Sequence, residues 1–391
     1  MHKWTRRGVI GGAAAVLATG AWWLRGRKPP VGAEITDNSL ARAEALLHSQ
    51  TIVDVHSHSG RSFLVGASPN NLIVRLMRDG FERQRAADMQ AAQVNAGLIA
   101  IVADIAVLGL TDNGLQTVRP FEPGEAFADY QRQLTRLLHV IDDGTFSLAL
   151  SVNDILTARS AASPAVVLSC EGGDFIETDV TRVEDAYNAG LRSITLLHYN
   201  ENLLGDNQTG SRLHGGLTAL GHEVVAEMNR LGMVVDVAHA SFETCRDTIS
   251  ASKAPVMLSH SNLNTNSNSS PRFLSREHAH LVSDADGIIG AWPAGIGSKT
   301  LADFAAQVIA LANEVGANHI AIGTDMDGNY KPVLTDYTDF VLLAALLLQQ
   351  GMSESDIGKC LGGNFLRVFS DVEAVAAVAG HSPSKTQPEI Q

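Results

Sequence analysis

Short apolar runs with strand character recur along the chain, and stretches with helical spacing separate them. The helical stretches, such as ERQRAADMQAAQV and LADFAAQVIALANEVGA, carry apolar residues at intervals of three and four, which is typical of amphipathic helices. The strand-like runs occupy residues 51–58, 96–104, 165–172, 193–200, 233–240, 255–260, 287–293 and 319–328. Strands that alternate with helices predict a parallel sheet.

Eight strand–helix units favour an α/β fold of the closed (β/α)8 barrel type, with its active site at the C-terminal ends of the strands. An open doubly wound sheet is the alternative. That fold would place a Gly-rich phosphate loop after the first strand, and the sequence that follows residue 58 contains none.

The N-terminal segment differs from the rest of the chain. Arg6 and Arg7 precede an apolar stretch over residues 8–24, and further basic residues follow it, which resembles a twin-arginine export signal. Cleavage after Ala33 would release a periplasmic protein. Without cleavage, the segment would attach the chain to the outer face of the inner membrane, since about 17 residues suffice to span a bilayer. We therefore divide the chain into a signal (1–33), one domain (34–379) and a flexible tail (380–391).

Composition narrows the choice of partners. Of the 391 residues 45% are hydrophobic, and the formal charge is −13. Six of the 29 basic residues and none of the 42 acidic residues precede Glu34, so the remainder carries −19. A body this acidic argues against nucleic acid as a partner. The cysteines, Cys170, Cys245 and Cys360, have no metal-ligand or redox spacing and are interpreted as buried apolar residues.

Ionisable residues gather at the ends of the strand-like runs. They are His56, His58, Glu171, His198, His239, His260 and Asp325. In a barrel these positions would all converge on the face that carries the active site. A single histidine at a strand end is more often a hydrogen-bonded residue than a ligand, but the set as a whole favours a metal site.

The spacing allows two neighbouring metal ions. His56 and His58 lie two residues apart and share a face of the strand, with Asp54 one step deeper, so that two imidazoles and a carboxylate could hold zinc. Glu171 with His239 and His260 would hold a second ion. A carboxylate that bridges both ions would place a hydroxide between them as the nucleophile. Glu171 also follows an apolar run, where an unpaired charge would be costly.

Two further features have structural interpretations. Asp325 and Asp327 could each cap the turn that follows the last strand, and for Asp327 we prefer this interpretation. The pair Gly362 and Gly363 in GGNFLRVF is predicted to end one helix and start the next, with a role in packing.

With these residues in place, the sequence resembles the membrane dipeptidase (renal dipeptidase) family of zinc peptidases, a branch of the amidohydrolase-like barrels. The resemblance extends from about Leu40 to Phe369. The matching segments, in order, are DVHSHSG, SCEGGDF, LLHYNENLLGD, VVDVAHAS, VMLSHSN, SPR, IAIGTDMDG and GGNFLRVF.

The resemblance implies a dipeptidase with two zinc ions per chain. Glu171 would bridge the ions, with His56 on the first and with His239 and His260 on the second. His198 would contact the substrate and stabilise the oxyanion, and Asp325 would carry a proton to the leaving amine. Arg272, one residue further from His260 than is usual in the family, would hold the C-terminal carboxylate of a dipeptide. Relatives often form homodimers, but nothing in this sequence identifies an interface.

The opening motif departs from the family. Relatives read His-x-Asp, whereas His58 stands at the second position here. Histidine can still coordinate zinc, so we expect hydrolysis to be retained with an uncertain substrate range and altered metal affinity. Two other functions stay open. One is an amidohydrolase that acts on a lactam, a lactone or a deaminase-type substrate, disfavoured because no lysine ends a strand. The other is a non-catalytic metal-binding or peptide-binding relative.

Overall fold

The computed structural model describes residues 28–112, 114–266 and 269–381. The predicted export signal falls almost entirely on residues 1–27, outside this range. Within the described residues, no helix has both the length and the apolar character needed to cross a bilayer.

The strands, in chain order, are β1 (Ile52–Ser57), β2 (Val94–Val102), β3 (Leu108–Thr111), β4 (Gly114–Thr117), β5 (Ser147–Leu148), β6 (Ala165–Glu171), β7 (Leu191–Thr195), β8 (Val234–Asp236), β9 (Met257–Ser261), β10 (Ile288–Ala291) and β11 (Ile320–Ile322).

Eight of these strands form the predicted barrel. Their order is β1-β2-β6-β7-β8-β9-β10-β11, and every pair is parallel. Backbone hydrogen bonds from Asp325 to His56 and from His58 to Met326, both of 2.8 Å, join the last strand to the first. All eight predicted runs are confirmed as strands, and the barrel is preferred over the open sheet.

The α-helices are α1 (Asp37–Ser49), α2 (Leu72–Leu76), α3 (Glu82–Ala91), α4 (Glu125–Asp142), α5 (Val152–Ser160), α6 (Thr181–Asn188), α7 (Ala219–Leu231), α8 (Phe242–Ala251), α9 (Arg276–Ser283), α10 (Leu301–Val315), α11 (Phe340–Gln349), α12 (Glu354–Gly358) and α13 (Asn364–Val378). Several begin at a Ser or Thr whose side chain accepts from the first turn. Thr300, before α10, forms a reciprocal capping box with Asp303.

The final helices close one end of the barrel. α12 passes through a π-helical turn (Lys359–Gly363) into α13, whose Phe365 and Phe369 pack against the strand residues inside the barrel. A Cβ on Gly362 would lie 2.0 Å from the carbonyl oxygen of Thr51, so only glycine permits this approach. The Gly pair thus joins two helices as predicted. The strands begin at this end, which leaves the opposite end for the ionisable residues.

Two elements were not expected from the sequence. β3 and β4 form an antiparallel hairpin between β2 and α4, and β5 adds a short parallel partner to β6. The hairpin alternates only weakly between buried and exposed positions, so its pattern carried little signal. The three cysteines are buried and free, as predicted.

Candidate metal centre

The strand ends bring the predicted residues to one place. β1 supplies His56 and, one residue beyond its end, His58; Glu171 is the last residue of β6, and His260 lies within β9. The others follow β7, β8, β9 and β11 directly or by a loop, and they are His198, His239, Arg272 and Asp325. Each of these eight residues is less than 10% exposed.

Glu171 lies at the centre of the cluster. Its Oε1 is 3.0 Å from Nε2 of His239 and 3.5 Å from Nε2 of both His56 and His260. Its Oε2 lies 3.2 Å from Nε2 of His58 and 3.4 Å from Nε2 of His198. Five imidazoles therefore face one buried carboxylate, each through the same ring nitrogen.

The other ring nitrogens fix this orientation. Nδ1 of His58 lies 3.2 Å from the carbonyl oxygen of Ala100, and Nδ1 of His260 lies 3.0 Å from Oγ of Ser259. A partner on Nδ1 selects the tautomer and the ring orientation, and it leaves Nε2 directed at the centre.

The donor set fits metal ions. There are two groups of three residues whose ligand atoms lie within 4.8 Å of one another inside each group, and Glu171 belongs to both groups. The first group adds His56 and His58, and the second adds His239 and His260. Nε2 of His56 is buried and has no hydrogen-bond partner among the described residues, although such an atom normally has one. Imidazole nitrogens with a carboxylate are a common zinc ligand set.

The imidazoles differ in their pKa values. Burial lowers the pKa of His239 and of His260 well below the usual value, which keeps both neutral and able to coordinate a cation. Burial opposes the charge on His58 as well, but hydrogen bonds with Asp325 and Glu171 raise its pKa to about 10. A metal ion at the first group must therefore displace a proton from His58. Burial alone would raise the pKa of Glu171, yet the surrounding imidazoles hold it well below its usual value.

Two site residues have backbones in the left-handed region. His239 has φ = 64° and Asp325 has φ = 51°, values that non-glycine residues seldom adopt, although Asn, Asp and His do so more often than the others. Such conformations persist where the surrounding structure enforces them, and they cluster at functional sites. Here they occur just beyond β8 and β11, at two of the positions that the sequence singled out.

Asp325 is held between two rings. Its Oδ1 lies 3.3 Å from Nε2 of His58, and its Oδ2 accepts a hydrogen bond of 3.1 Å from Nε1 of Trp292. Trp292 follows β10, the one strand of the second half of the barrel for which the sequence suggested no site residue. An aromatic residue at a strand end was the available signal, but it reads equally well as core.

His198 also has a carboxylate partner that sequence reasoning missed. Nδ1 of His198 lies 2.6 Å from Oδ1 of Asp104, whose Oδ2 accepts from the backbone N–H groups of Tyr199 and Asn200. Asp104 is fully buried. It ends the second strand-like run, so its position at a strand end could have identified it.

Two aspartates have roles other than those predicted. Asp54 belongs to neither ligand group; it accepts hydrogen bonds from Thr324 and Tyr337, and burial raises its pKa to about 7. It supports the end of β11 from beneath the site rather than contributing a ligand. The preferred interpretation of Asp327 as a turn cap was wrong. Its carboxylate forms a two-point ion pair with Arg85 and accepts from the backbone N–H of Gly60.

Arg272 reaches the cluster from the loop that follows β9. Its Nη1 donates to Oε1 of Gln208 at 2.8 Å, and its Nη2 lies 3.2 Å from Nε2 of His260. The guanidinium also lies over the ring of Trp292, 5.6 Å from the centroid. These contacts place Arg272 at the site, as the sequence predicted.

Sequence comparison identifies relatives of this chain. The dipeptidase verJ of Clonostachys rogersoniana is 33% identical over 236 residues, 59% of this chain and 61% of that protein. The dipeptidase tcpJ of Claviceps purpurea is 28% identical over 255 residues, 62% of this chain and 59% of that protein. The matched regions thus span about 60% of the length of these curated relatives.

Structural comparison gives the same fold. The probable dipeptidase PvdM from Pseudomonas aeruginosa superposes with a TM-score of 0.71 at 19% identity, over 87% of this chain and 99% of that one. A metallo peptidase from Rhodobacter sphaeroides, liganded with a phosphinate mimic of the dipeptide L-Ala-D-Ala, gives 0.70 at 20% identity, over 83% and 99%. At these identities the likeness shows the fold alone.

A family model provides the assignment. It matches residues 40–383, nearly the whole of the predicted domain, and it describes the membrane dipeptidases of peptidase family M19. On this match, over a barrel with the geometry described above, the chain belongs to the membrane dipeptidase family.

Proposed function

We propose that this protein is an exported, zinc-dependent dipeptidase that hydrolyses the amide bond of dipeptides. The observation that carries the proposal is the arrangement around Glu171, where one buried carboxylate is shared by two pairs of histidines. Names of relatives support it: the fungal relatives are dipeptidases, and the Rhodobacter sphaeroides structure holds a dipeptide mimic.

The ligands divide into two sites for two zinc ions per chain. His56 and His58 would hold the first ion and His239 and His260 the second, with Glu171 between them. When bound, zinc would lower the pKa of a water molecule and polarise the substrate carbonyl. The protein supplies the fixed Nε2 orientations and a buried environment in which charge interactions are strong.

The substrate is held by charge and by hydrogen bonding. Arg272 would bind the C-terminal carboxylate, for which the planar guanidinium offers two parallel N–H donors. Burial opposes a charge on His198, but Asp104 and Glu171 raise its pKa, so that the ring can carry a proton on both nitrogens. Nδ1 would then donate to Asp104, and Nε2 would donate to the carbonyl oxygen as negative charge develops there. The carbonyl carbon would then lie close to Glu171, since both His198 and Glu171 border the same space.

Asp325 would act as the general base and then as the general acid. It accepts a proton from the water whose oxygen adds to the carbonyl carbon, and it donates that proton to the amide nitrogen as the C–N bond breaks. The products are two free amino acids, of which the N-terminal one gains the new carboxylate and the C-terminal one gains the new amine. Trp292 keeps the carboxylate of Asp325 in place for both transfers, since Nε2 of His58 would be taken up by the first zinc ion.

Location and assembly belong to the same proposal. The paired arginines and apolar stretch of residues 1–33 support export by the twin-arginine route, to the periplasm or to the outer face of the inner membrane. Fractionation of cells that express the chain with Arg6 and Arg7 intact or both replaced by Lys tests this. Equal export of the two forms to the periplasmic and membrane fractions would contradict it. Sedimentation would test for the homodimer that family membership suggests.

The activity is tested with the zinc-loaded protein and a panel of dipeptides. We expect wild-type hydrolysis, loss of activity in Asp325→Asn, and close to two zinc ions per chain by elemental analysis. A lactam and a lactone serve as comparison substrates for other amidohydrolase chemistry. Less than about one zinc per chain, with no activation by added divalent metal, would contradict the two-metal site. Metal binding without hydrolysis of any dipeptide would favour a binding protein.

A further inference from the structure

One N–H group of the Arg272 guanidinium has no partner in the part of the chain that the structure describes. Nη1 donates to Gln208, whereas Nε has no hydrogen-bond partner among the described residues. The residue is 5% exposed, so water does not freely satisfy this N–H group. A buried donor without a partner is uncommon in folded proteins and indicates that an acceptor is supplied by something else.

The guanidinium of Arg272 has no direct ion pair with a described residue either. Within the described part of the chain, no carboxylate oxygen forms an ion pair with it, although buried arginines are usually paired. Its neighbours are the neutral amide of Gln208, the ring of Trp292 and the imidazole of His260. The position therefore suits an anion that arrives with a ligand.

The third contact indicates which edge receives this anion. Nη2 lies 3.2 Å from Nε2 of His260, the nitrogen that faces Glu171 and belongs to the second ligand group. A ligand nitrogen that holds a metal ion has no lone pair left for Arg272. Nη2 would then be free together with Nε, and these two N–H groups form one edge of the guanidinium with the spacing of a carboxylate.

Gln208 is itself fixed through its side chain and through its backbone. Its Nε2 donates to the carbonyl oxygen of Phe273 at 3.0 Å, and its backbone N–H donates to the carbonyl oxygen of His239. The Oε1 atom therefore has a fixed direction, toward Arg272. Because the amide is neutral, it orients the guanidinium without cancelling its charge.

We propose that Gln208 is a positioning residue that makes the site selective for dipeptides with a free C-terminal carboxylate. By holding Nη1, it turns the Nε–Nη2 edge of Arg272 toward the substrate. The inference rests on the proposed dipeptidase function. The sequence reasoning did not single out Gln208, since nothing near LLGDNQTG predicts a contact with a loop more than sixty residues away.

The test compares one dipeptide with its C-terminal amide, in wild type, Gln208→Ala and Gln208→Glu. For the free acid, Gln208→Ala should raise KM about tenfold with little change in kcat, as expected for loss of one hydrogen bond to a charged group. The C-terminal amide of the dipeptide has no carboxylate for Arg272 to bind, so its kinetics should be the same in wild type and in Gln208→Ala. Gln208→Glu should raise KM for the free acid further, because its carboxylate pairs with Arg272. Gln131→Ala, on the exposed side of α4, is the surface control.

Three outcomes would overturn the inference. They are an unchanged KM for the free acid in Gln208→Ala, an equal loss for acid and amide, and a wild type that accepts both equally. If the wild type hydrolyses neither compound, the proposed function fails instead. Calorimetry then measures how tightly the two compounds bind to the zinc-loaded proteins and decides the role of Gln208. Wild type should bind the free acid more tightly than the amide. In Gln208→Ala this preference should be about tenfold smaller.

Discussion

Nε2 of His58 lies 3.3 Å from Oδ1 of Asp325, so the residue that departs from the family pattern contacts the proposed proton carrier directly. Room for the imidazole comes from Gly328, where a Cβ would lie 2.4 Å from Cδ2 of His58. The same Nε2 atom is 3.2 Å from Glu171. His58 therefore links the bridging carboxylate to the carboxylate that handles the proton.

Replacement of His58 by Asp restores the residue of the family pattern and removes this link. A third carboxylate would face Asp325 and Glu171, so we expect the metal-free protein to lose about 1–3 kcal/mol of stability. Zinc would neutralise the added charge, so the rise in Tm on adding zinc should be larger than in wild type. Melting curves in chelator and in zinc measure both effects.

The matched control is His222→Asp, which makes the same substitution at an exposed position of α7. It should leave the zinc-dependent rise in Tm unchanged. A rise in His58→Asp equal to that of wild type would show that His58 does not contribute to the metal site.

Asp104→Asn tests the orientation of His198. The amide offers one acceptor oxygen in place of two and no negative charge, so the imidazole loses the carboxylate that orients it and favours its protonated form. We expect kcat to fall about 10–100-fold, with a smaller change in KM. Steady-state kinetics on a dipeptide check this. Asp174→Asn is the control nearby, since burial raises the pKa of Asp174 to about 7 and a neutral side chain is tolerated there.

Trp292→Phe removes the indole N–H that Asp325 accepts and keeps most of the ring. The carboxylate would lose one of its two ring contacts, so we expect kcat to fall about tenfold. Because the ring still lies against Arg272, KM should change less. A higher KM with an unchanged kcat would instead place Trp292 in substrate recognition only.

His278 lies outside both ligand groups, and we expect it to make stability depend on pH. Burial lowers its pKa from 6.5 to about 4, so below pH 6.5 the unfolded chain takes up a proton that the folded chain does not. The contribution of His278 to the free energy of unfolding is fully present above about pH 6.5 and is lost as the pH falls toward 4. The shift corresponds to at most about 3 kcal/mol.

His278→Phe should remove this part of the acid dependence. Denaturant melts between pH 7 and 4 would show a shallower fall in the free energy of unfolding than in wild type. The exposed His222→Phe is the matched control and should keep the wild-type slope. Identical slopes in all three proteins would contradict the assignment to His278.

Much of the barrel was predictable because its signals are local. Each strand is a short apolar run between helical stretches, and each ligand candidate stands at or just beyond the end of such a run. The β3–β4 hairpin escaped prediction because it is mostly exposed, so burial imposes no strict alternation on it. Asp327 was misinterpreted because its partner, Arg85, is 242 residues away and nothing in the local sequence indicates that contact.

The sequence by itself determined the eight barrel strands, the family and the set of ionisable residues at the strand ends, because hydrophobic periodicity and strand-end placement are properties of neighbouring positions. Only the tertiary structure decided how those residues are held. Asp104 behind His198, Trp292 on Asp325 and Gln208 on Arg272 come from separate strands and loops, and they meet only because the barrel closes. A hydrogen bond depends on distance and direction between atoms, and the sequence does not contain these until the chain is folded.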